Sequence, residues 1–171
     1  MSEQFFADKK YDEAATLYVQ LVDAAPQGEN ADKALNNAAV AYENSLRYSA
    51  ATKLYERIVR DYPKSTFVDD ALFRTAVNSQ RFFEFDKAAL AYQTLATDKR
   101  FVSSPHRTDA LFNAAVILEN DQNYARAAEL FRQYAANPSV KKEDAADAYF
   151  RAALATEKLK DPDKTERELR Q

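Results

Sequence analysis

Four segments of this sequence are near copies of one another: Tyr11-Asp-Glu-Ala14-Ala-Thr-Leu-Tyr18, Tyr48-Ser-Ala-Ala51-Thr-Lys-Leu-Tyr55, Phe85-Asp-Lys-Ala88-Ala-Leu-Ala-Tyr92 and Tyr124-Ala-Arg-Ala127-Ala-Glu-Leu-Phe131. Their leading aromatics stand 37, 37 and 39 residues apart. A period of that size restricts the chain to stacked units, each too small to bury its own apolar face. A second series keeps nearly the same spacing. Leu35-x3-Ala39, Leu72-x3-Ala76, Leu111-x3-Ala115 and Tyr149-x3-Ala153 place their alanines 37, 39 and 38 residues apart.

In the first series the aromatics and the alanine lie 3 and 4 positions apart, on one face of a helix. Each unit therefore reads as two helices. A single Gly and five Pro leave little turn chemistry for a β-rich fold, and abundant Ala, Leu, Glu, Lys and Arg favour helix. The chain reads as all-α. Pro26, Pro63 and Pro138 follow second helices, where a residue without an amide hydrogen stops the chain. Ser104-Pro105 and Asp161-Pro162 look like an N-cap with a first-turn proline, and Thr66-x-x-Asp69 like a capping box. The expected helices run near 11–25, 30–45, 48–62, 66–82, 85–97, 105–121, 124–136 and 141–159, with a last one beginning at about 162.

These residues resemble the tetratricopeptide repeat, whose pattern runs aromatic-x2-Leu-Gly-x2-Tyr, then Ala-x3-Phe, then Pro. The second unit follows it best, with Leu35, Ala38-Ala39, Tyr42, Tyr48, Ala51, Tyr55, Ile58 and Pro63. The third and fourth depart at the place of Tyr42, which is Ser79 and Leu118, and Arg100 stands where the third unit would carry its proline. The usual Gly is Ala in every unit. The resemblance covers almost all of residues 5–160 and implies a right-handed α-solenoid of antiparallel helix pairs. It implies one domain over 1–171, with units near 1–28, 29–65, 66–102 and 103–140 and a partial one at 141–171. Small residues at Ala14, Ala51, Ala88 and Ala127, and at Ala39, Ala76, Ala115 and Ala153, let helices approach while the aromatics fill the gaps. The stretch from Asp61 to Arg74 is similar to the longer repeats of bacterial envelope proteins such as the outer-membrane β-barrel assembly lipoprotein, the cell-division coordinator and gliding-motility proteins.

In that family first helices line the concave face. The resemblance then puts Asn36, Val40 and Glu43 there in one unit, Phe73, Val77 and Gln80 in the next, and Phe112, Val116 and Glu119 in the third. Phe150, Leu154 and Glu157 follow in the last. Each set is spaced 4 then 3, one stripe on its helix. For the Val and Leu members, packing against the neighbouring helix is the simpler role. The three Phe residues suit a core or an exposed interaction surface equally well. Relatives that clamp a carboxylate use Lys, Asn and Arg on this face. Here those places are mostly Phe and Val, with Asn36 the polar exception, so an apolar or amphipathic peptide or helix is the expected occupant.

The implied function is a protein-interaction scaffold in a multi-protein assembly, with a protein or peptide partner and no cofactor. Two other classes stay open: an RNA-reading helical-repeat protein, and the regulatory module of an enzyme lying outside this sequence. The net charge of −3, with signs interspersed, gives no basic field for a phosphate backbone. One Gly allows no phosphate-cradling loop, and His106 has no second His or Cys to act with, so neither catalysis nor a metal site is expected. No apolar run reaches the ~20 residues that span a bilayer. Nothing in the sequence chooses between a bacterial periplasm or envelope and a cytoplasm. Only Phe5-Phe6 stand where a full first helix belongs, and the last helix has scarcely ten residues from Pro162 to Gln171. The chain therefore reads as a piece of a longer protein whose uncapped ends could self-associate, or else as a small protein that caps itself by dimerising.

Overall fold

The computed structural model describes residues 10–160. Within them lie eight α-helices: α1 (Tyr11–Ala24), α2 (Ala31–Asn44), α3 (Tyr48–Asp61), α4 (Val68–Arg81), α5 (Phe85–Thr97), α6 (Arg107–Asn120), α7 (Tyr124–Ala135) and α8 (Lys142–Lys160). A short 3-10 turn, Lys99–Phe101, follows α5, and no strand occurs among the described residues. The chain divides into two compact units, residues 1–84 and 85–171. In the first, α1 packs on α2, α2 on α3 and α3 on α4; in the second, α5 packs on α6, α6 on α7 and α7 on α8. The fold is an all-α helical repeat, and each expected helix within the described residues forms to within about two residues. The expected helix from 162 lies outside them.

The repeated motif explains where helices begin and what they bury. Tyr11, Tyr48, Phe85 and Tyr124 are the first residues of α1, α3, α5 and α7. One turn on, Ala14, Ala51, Ala88 and Ala127 are fully buried, and one further turn on, Tyr55, Tyr92 and Phe131 are at most 1% exposed. An alanine at the crossing lets two backbones close up. The aromatic beyond it then fills the wedge between them, each such ring contributing roughly 1.5–3 kcal/mol of apolar burial.

The first-type helices keep the same rule at Ala39, Ala76 and Ala115, all fully buried. In α8 the rule shifts by one residue. Ala152, with Ala148 and Ala155, is buried, while Ala153 is exposed. The true spacing from Ala115 is 37 rather than 38, so the residue in the register of Phe112 is Tyr149. Phe150 and Leu154 are turned about 100° around the helix from the stripe assigned to them.

Each turn from a first-type to a second-type helix is closed by one residue in the left-handed conformation: Leu46 (φ 62°), Phe83 (φ 60°) and Gln122 (φ 60°). The hydrogen bonds are those of a Schellman motif. Arg47 N–H donates to the Tyr42 carbonyl (2.7 Å) and Leu46 N–H to that of Glu43 (2.9 Å). Glu84 and Phe83 repeat this on Ser79 and Gln80, and Asn123 and Gln122 on Leu118 and Glu119. Glycine is the usual residue here because it lacks a Cβ. This chain makes the turn three times without one.

The expected capping box at Thr66 does not form. Helix α4 begins at Val68, and the Ser65 hydroxyl accepts from the Phe67 amide (3.1 Å). Ser104 behaves alike, accepting from the His106 amide (3.2 Å) ahead of α6, which begins at Arg107. Both serines brace the tight turn before the helix instead of its first turn. The extra residues between α5 and α6 also have a structural use, since Phe101 in the 3-10 turn is buried.

Candidate functional site

In the first unit α2 and α4 carry Asn36, Val40, Glu43, Phe73, Val77 and Gln80, and all six are half-buried. Glu43 is an internal hub. One carboxylate oxygen accepts from Arg74 Nη1 (2.7 Å) and from the Tyr55 hydroxyl (3.3 Å), and the other from Asn78 Nδ2 (2.7 Å). Arg74 Nε also donates to Asp70 (2.9 Å). Three side chains from α3 and α4 thereby meet on one α2 carboxylate, whose side chain is 15% exposed. Burial, and then the negative charge of Glu43, push the Tyr55 hydroxyl far above its ordinary range, so it stays a proton donor. The geometry makes Glu43 a helix tie; charge-assisted bonds of this kind are about twice as strong as neutral ones.

Asn36 is the polar residue expected to face a ligand. Its Oδ1 is buried without a hydrogen-bond partner. The apolar members Val40, Phe73 and Val77 lie between core and surface, each with part of its side chain accessible.

The second unit presents Phe112, Val116 and Glu119 half-buried on α6. Phe112 stands edge-on to Phe131 (ring centroids 5.8 Å) and beside Tyr134 (5.0 Å). Arg151, from α8, lies over the Phe131 ring (4.6 Å) and the Phe112 ring (5.6 Å) while pairing with Glu119. Glu119 is thus also held inside its unit, by an arginine stacked on two aromatic faces. In α8 itself Phe150 is 62% exposed and Leu154 38%. Burial, reinforced by Asp109, pushes the Tyr92 hydroxyl on α5 up to about 12.

The sequence pattern therefore located these helices but not the polar wiring between them. Arg74, Asn78 and Arg151 carry no signal in the repeat pattern, and Tyr55 enters it only as a packing aromatic. One signal could have revealed the hub: Asn78 is a buried polar residue in mid-helix, where the other units have Ala41 and Ile117. Such a residue needs a partner. Among the described residues no group of three or more His, Cys, Asp or Glu side chains is placed to hold a metal ion. No described helix is long and apolar enough to cross a membrane.

The model of the tetratricopeptide repeat family matches this chain over residues 33–65 and 109–138. These two stretches contain α3 and α7 with most of the preceding first-type helix. Solved structures extend the likeness across the chain. A crystal structure of MamA is 15% identical with a TM-score of 0.60, over 92% of this chain and 95% of that one. The nearly identical TPR-like repeats of a kinesin light chain from Podosopora anserina are 16% identical to this chain with a TM-score of 0.60, over 99% and 89%. A MamA RS-1 ArsTM double mutant is 13% identical with a TM-score of 0.55, over 95% and 93%. At such identities the likeness shows the fold. No curated protein matches the sequence.

Proposed function

Since this chain is a tetratricopeptide-repeat protein, we propose that it is a protein-interaction scaffold whose first-type helices receive an apolar or amphipathic peptide or helix of a partner. One observation carries this reading. The second-type motif residues Ala51, Tyr55, Ala88, Tyr92, Ala127 and Phe131 are buried almost completely, whereas Val40, Phe73 and Val77 in one unit and Phe112 and Val116 in the other keep part of their surface accessible. Apolar side chains held half-open on a rigid helix can bury more area when a partner helix lies across them, without an ordering cost in the scaffold.

Contact by Glu43 and Glu119 enters this reading differently from the apolar residues. Their internal partners hold them, so they shape the face and give it charge, while Val40, Phe73, Val77, Phe112 and Val116 supply the buried area. Asn36 and Gln80 border the stripe. Replacing Phe73 and Phe112 together by Ala tests the proposal. In affinity capture against the source lysate the double variant is expected to lose roughly tenfold or more of the capture of specific partners, with helicity by circular dichroism unchanged. Full retention of capture by a folded double variant contradicts it. Tight binding of random single-stranded RNA at low salt would favour the nucleic-acid alternative instead.

A further inference from the structure

The candidate stripe of α6 begins one turn before Phe112. Asp109, Phe112, Val116 and Glu119 are spaced 3, 4 and 3, so they lie within about 80° of one another around the helix. A carboxylate therefore stands at each end of the apolar pair, and the two ends differ. Glu119 pairs with Arg151, whose guanidinium also lies over the Phe112 ring. Asp109 is exposed and has no hydrogen bond or ion pair among the described residues. Its counterpart in α4 is Asp70, which accepts from Arg74 Nε four residues on (2.9 Å). In α6 that later position is Asn113, so α6 has the carboxylate without its cation.

A second carboxylate comes from α8. Tyr134, on α7, has its ring 5.0 Å from that of Phe112 and is half-buried. Burial, and then the charges of Asp144 and Asp109, push the Tyr134 hydroxyl above its ordinary range, so both carboxylates stand close enough to act on it. Asp144 is likewise exposed and without an ion pair among the described residues. The nearby cations do not answer the two acids. Arg107 Nε donates to the Ala96 carbonyl (2.9 Å), and Lys141 and Lys142 are exposed and pair with neither. A helix dipole favours an acid in its first turn, but it does not account for acids of two helices meeting beside two rings.

We propose that this end of the second unit takes a basic side chain of the partner peptide, laid over Phe112 and Tyr134 and paired with Asp109 and Asp144. Charge complementarity selects the occupant: two unpaired carboxylates beside two rings suit an arginine or a lysine and repel an acidic residue. The Arg151 guanidinium, stacked on Phe112 and Phe131 while paired with Glu119, is the same arrangement made within the chain. Among the described residues no third His, Cys, Asp or Glu joins the two acids, which leaves a metal ion short of ligands. The proposal rests on the peptide-binding reading and narrows the partner to a peptide with a basic residue beside its apolar ones. In the first unit Asp70 already holds Arg74, so no such residue is called for there.

Random peptides displayed on phage and selected on the full chain supply the probe. Binders that depend on Phe73 and Phe112 should carry Arg or Lys at a fixed distance from their apolar residues. Such a peptide, made synthetically, should lose about fivefold to twentyfold in affinity when Asp109→Asn and Asp144→Asn are combined. Replacing its basic residue by a neutral isostere should cost as much against the parent chain and less than about twofold against the double variant. Raising salt from about 20 to 500 mM should weaken binding to the parent and barely change binding to the variant. Helicity should be the same in both, since the two carboxylates are exposed and unpaired. Phe-dependent binders without a basic residue, binding indifferent to the Asn substitutions, or a loss not coupled to the basic residue would each overturn the proposal and leave the apolar stripe standing. A selection that yields no Phe-dependent binder contradicts the peptide-binding reading itself, and this proposal with it.

Discussion

In α4 of the first unit, Thr75, Asn78 and Ser79 occupy the places that Ala114, Ile117 and Leu118 hold in α6 of the second, and all six are buried. Asn78 is satisfied through Glu43 (2.7 Å). The hydroxyls of Thr75 and Ser79 are buried without a hydrogen-bond partner. A buried hydroxyl left unsatisfied costs about 1–3 kcal/mol relative to water. The repeat thus fixes position and burial at these places and leaves size and chemistry open. The second unit builds its seam from hydrocarbon. The first builds it from polar groups and relies on one carboxylate to bind its helices together.

The contrast is sharpest at that carboxylate. Glu43→Ala leaves Asn78, Arg74 and the Tyr55 hydroxyl without their acceptor. The first unit is expected to lose about 2–3 kcal/mol, the figure being held down because the Arg74 side chain is 40% exposed. Glu119→Ala in the second unit should lose only about 1 kcal/mol, since Arg151 keeps its place over two rings. Denaturant titrations of the two variants check this, and equal losses would erase the distinction. At the alanines of the shared motif the units should behave alike. Ala51→Leu and Ala127→Leu replace fully buried methyls and should each cost about 1–3 kcal/mol by overpacking. A large difference between them would mean that the crossings are not equivalent.

Exchanging the seam residues gives a reciprocal pair. Thr75→Ala installs in α4 what α6 has, and should gain about 0.5–1 kcal/mol from removing an unpaired hydroxyl and from better helix propensity. Ala114→Thr should lose a similar amount, and both follow from shifts in thermal midpoint. The smallest effect belongs to the turns. Phe83 sits in the left-handed region (φ 60°), where a bulky side chain is strained. Phe83→Gly should therefore stabilise by about 0.5 kcal/mol after the entropy of glycine in the unfolded chain is allowed for. Loss of stability there would show that the ring contributes more by its contacts than the backbone loses by strain.

Much of the fold could be read from the sequence because aromatic and alanine positions carry its geometry. Tyr11, Tyr48, Phe85 and Tyr124 each open a helix where the motif puts them. Reading failed where chemistry was locally degenerate. In α8 three alanines, Ala152, Ala153 and Ala155, and the adjacent Tyr149 and Phe150 offer two registers, and packing selected the one that buries Ala152. Thr66 and Ser104 are good caps by type, but nearby turns begin their helices one or two residues later than expected. The left-handed turns were hidden because Leu46, Phe83 and Gln122 are not turn-forming residues. The Glu43 hub was hidden for a different reason: its partners Arg74 and Asn78 are 31 and 35 residues away. Only the period of the repeat brings them into reach.

Residue-resolved native-state hydrogen exchange on the full chain tests most directly whether seam chemistry sets the two units apart. The amides of α4 should open at a free energy about 1–3 kcal/mol below those of α6, and Thr75→Ala should narrow the gap. Equal protection of the two helices, or slower exchange in α4, would contradict the account.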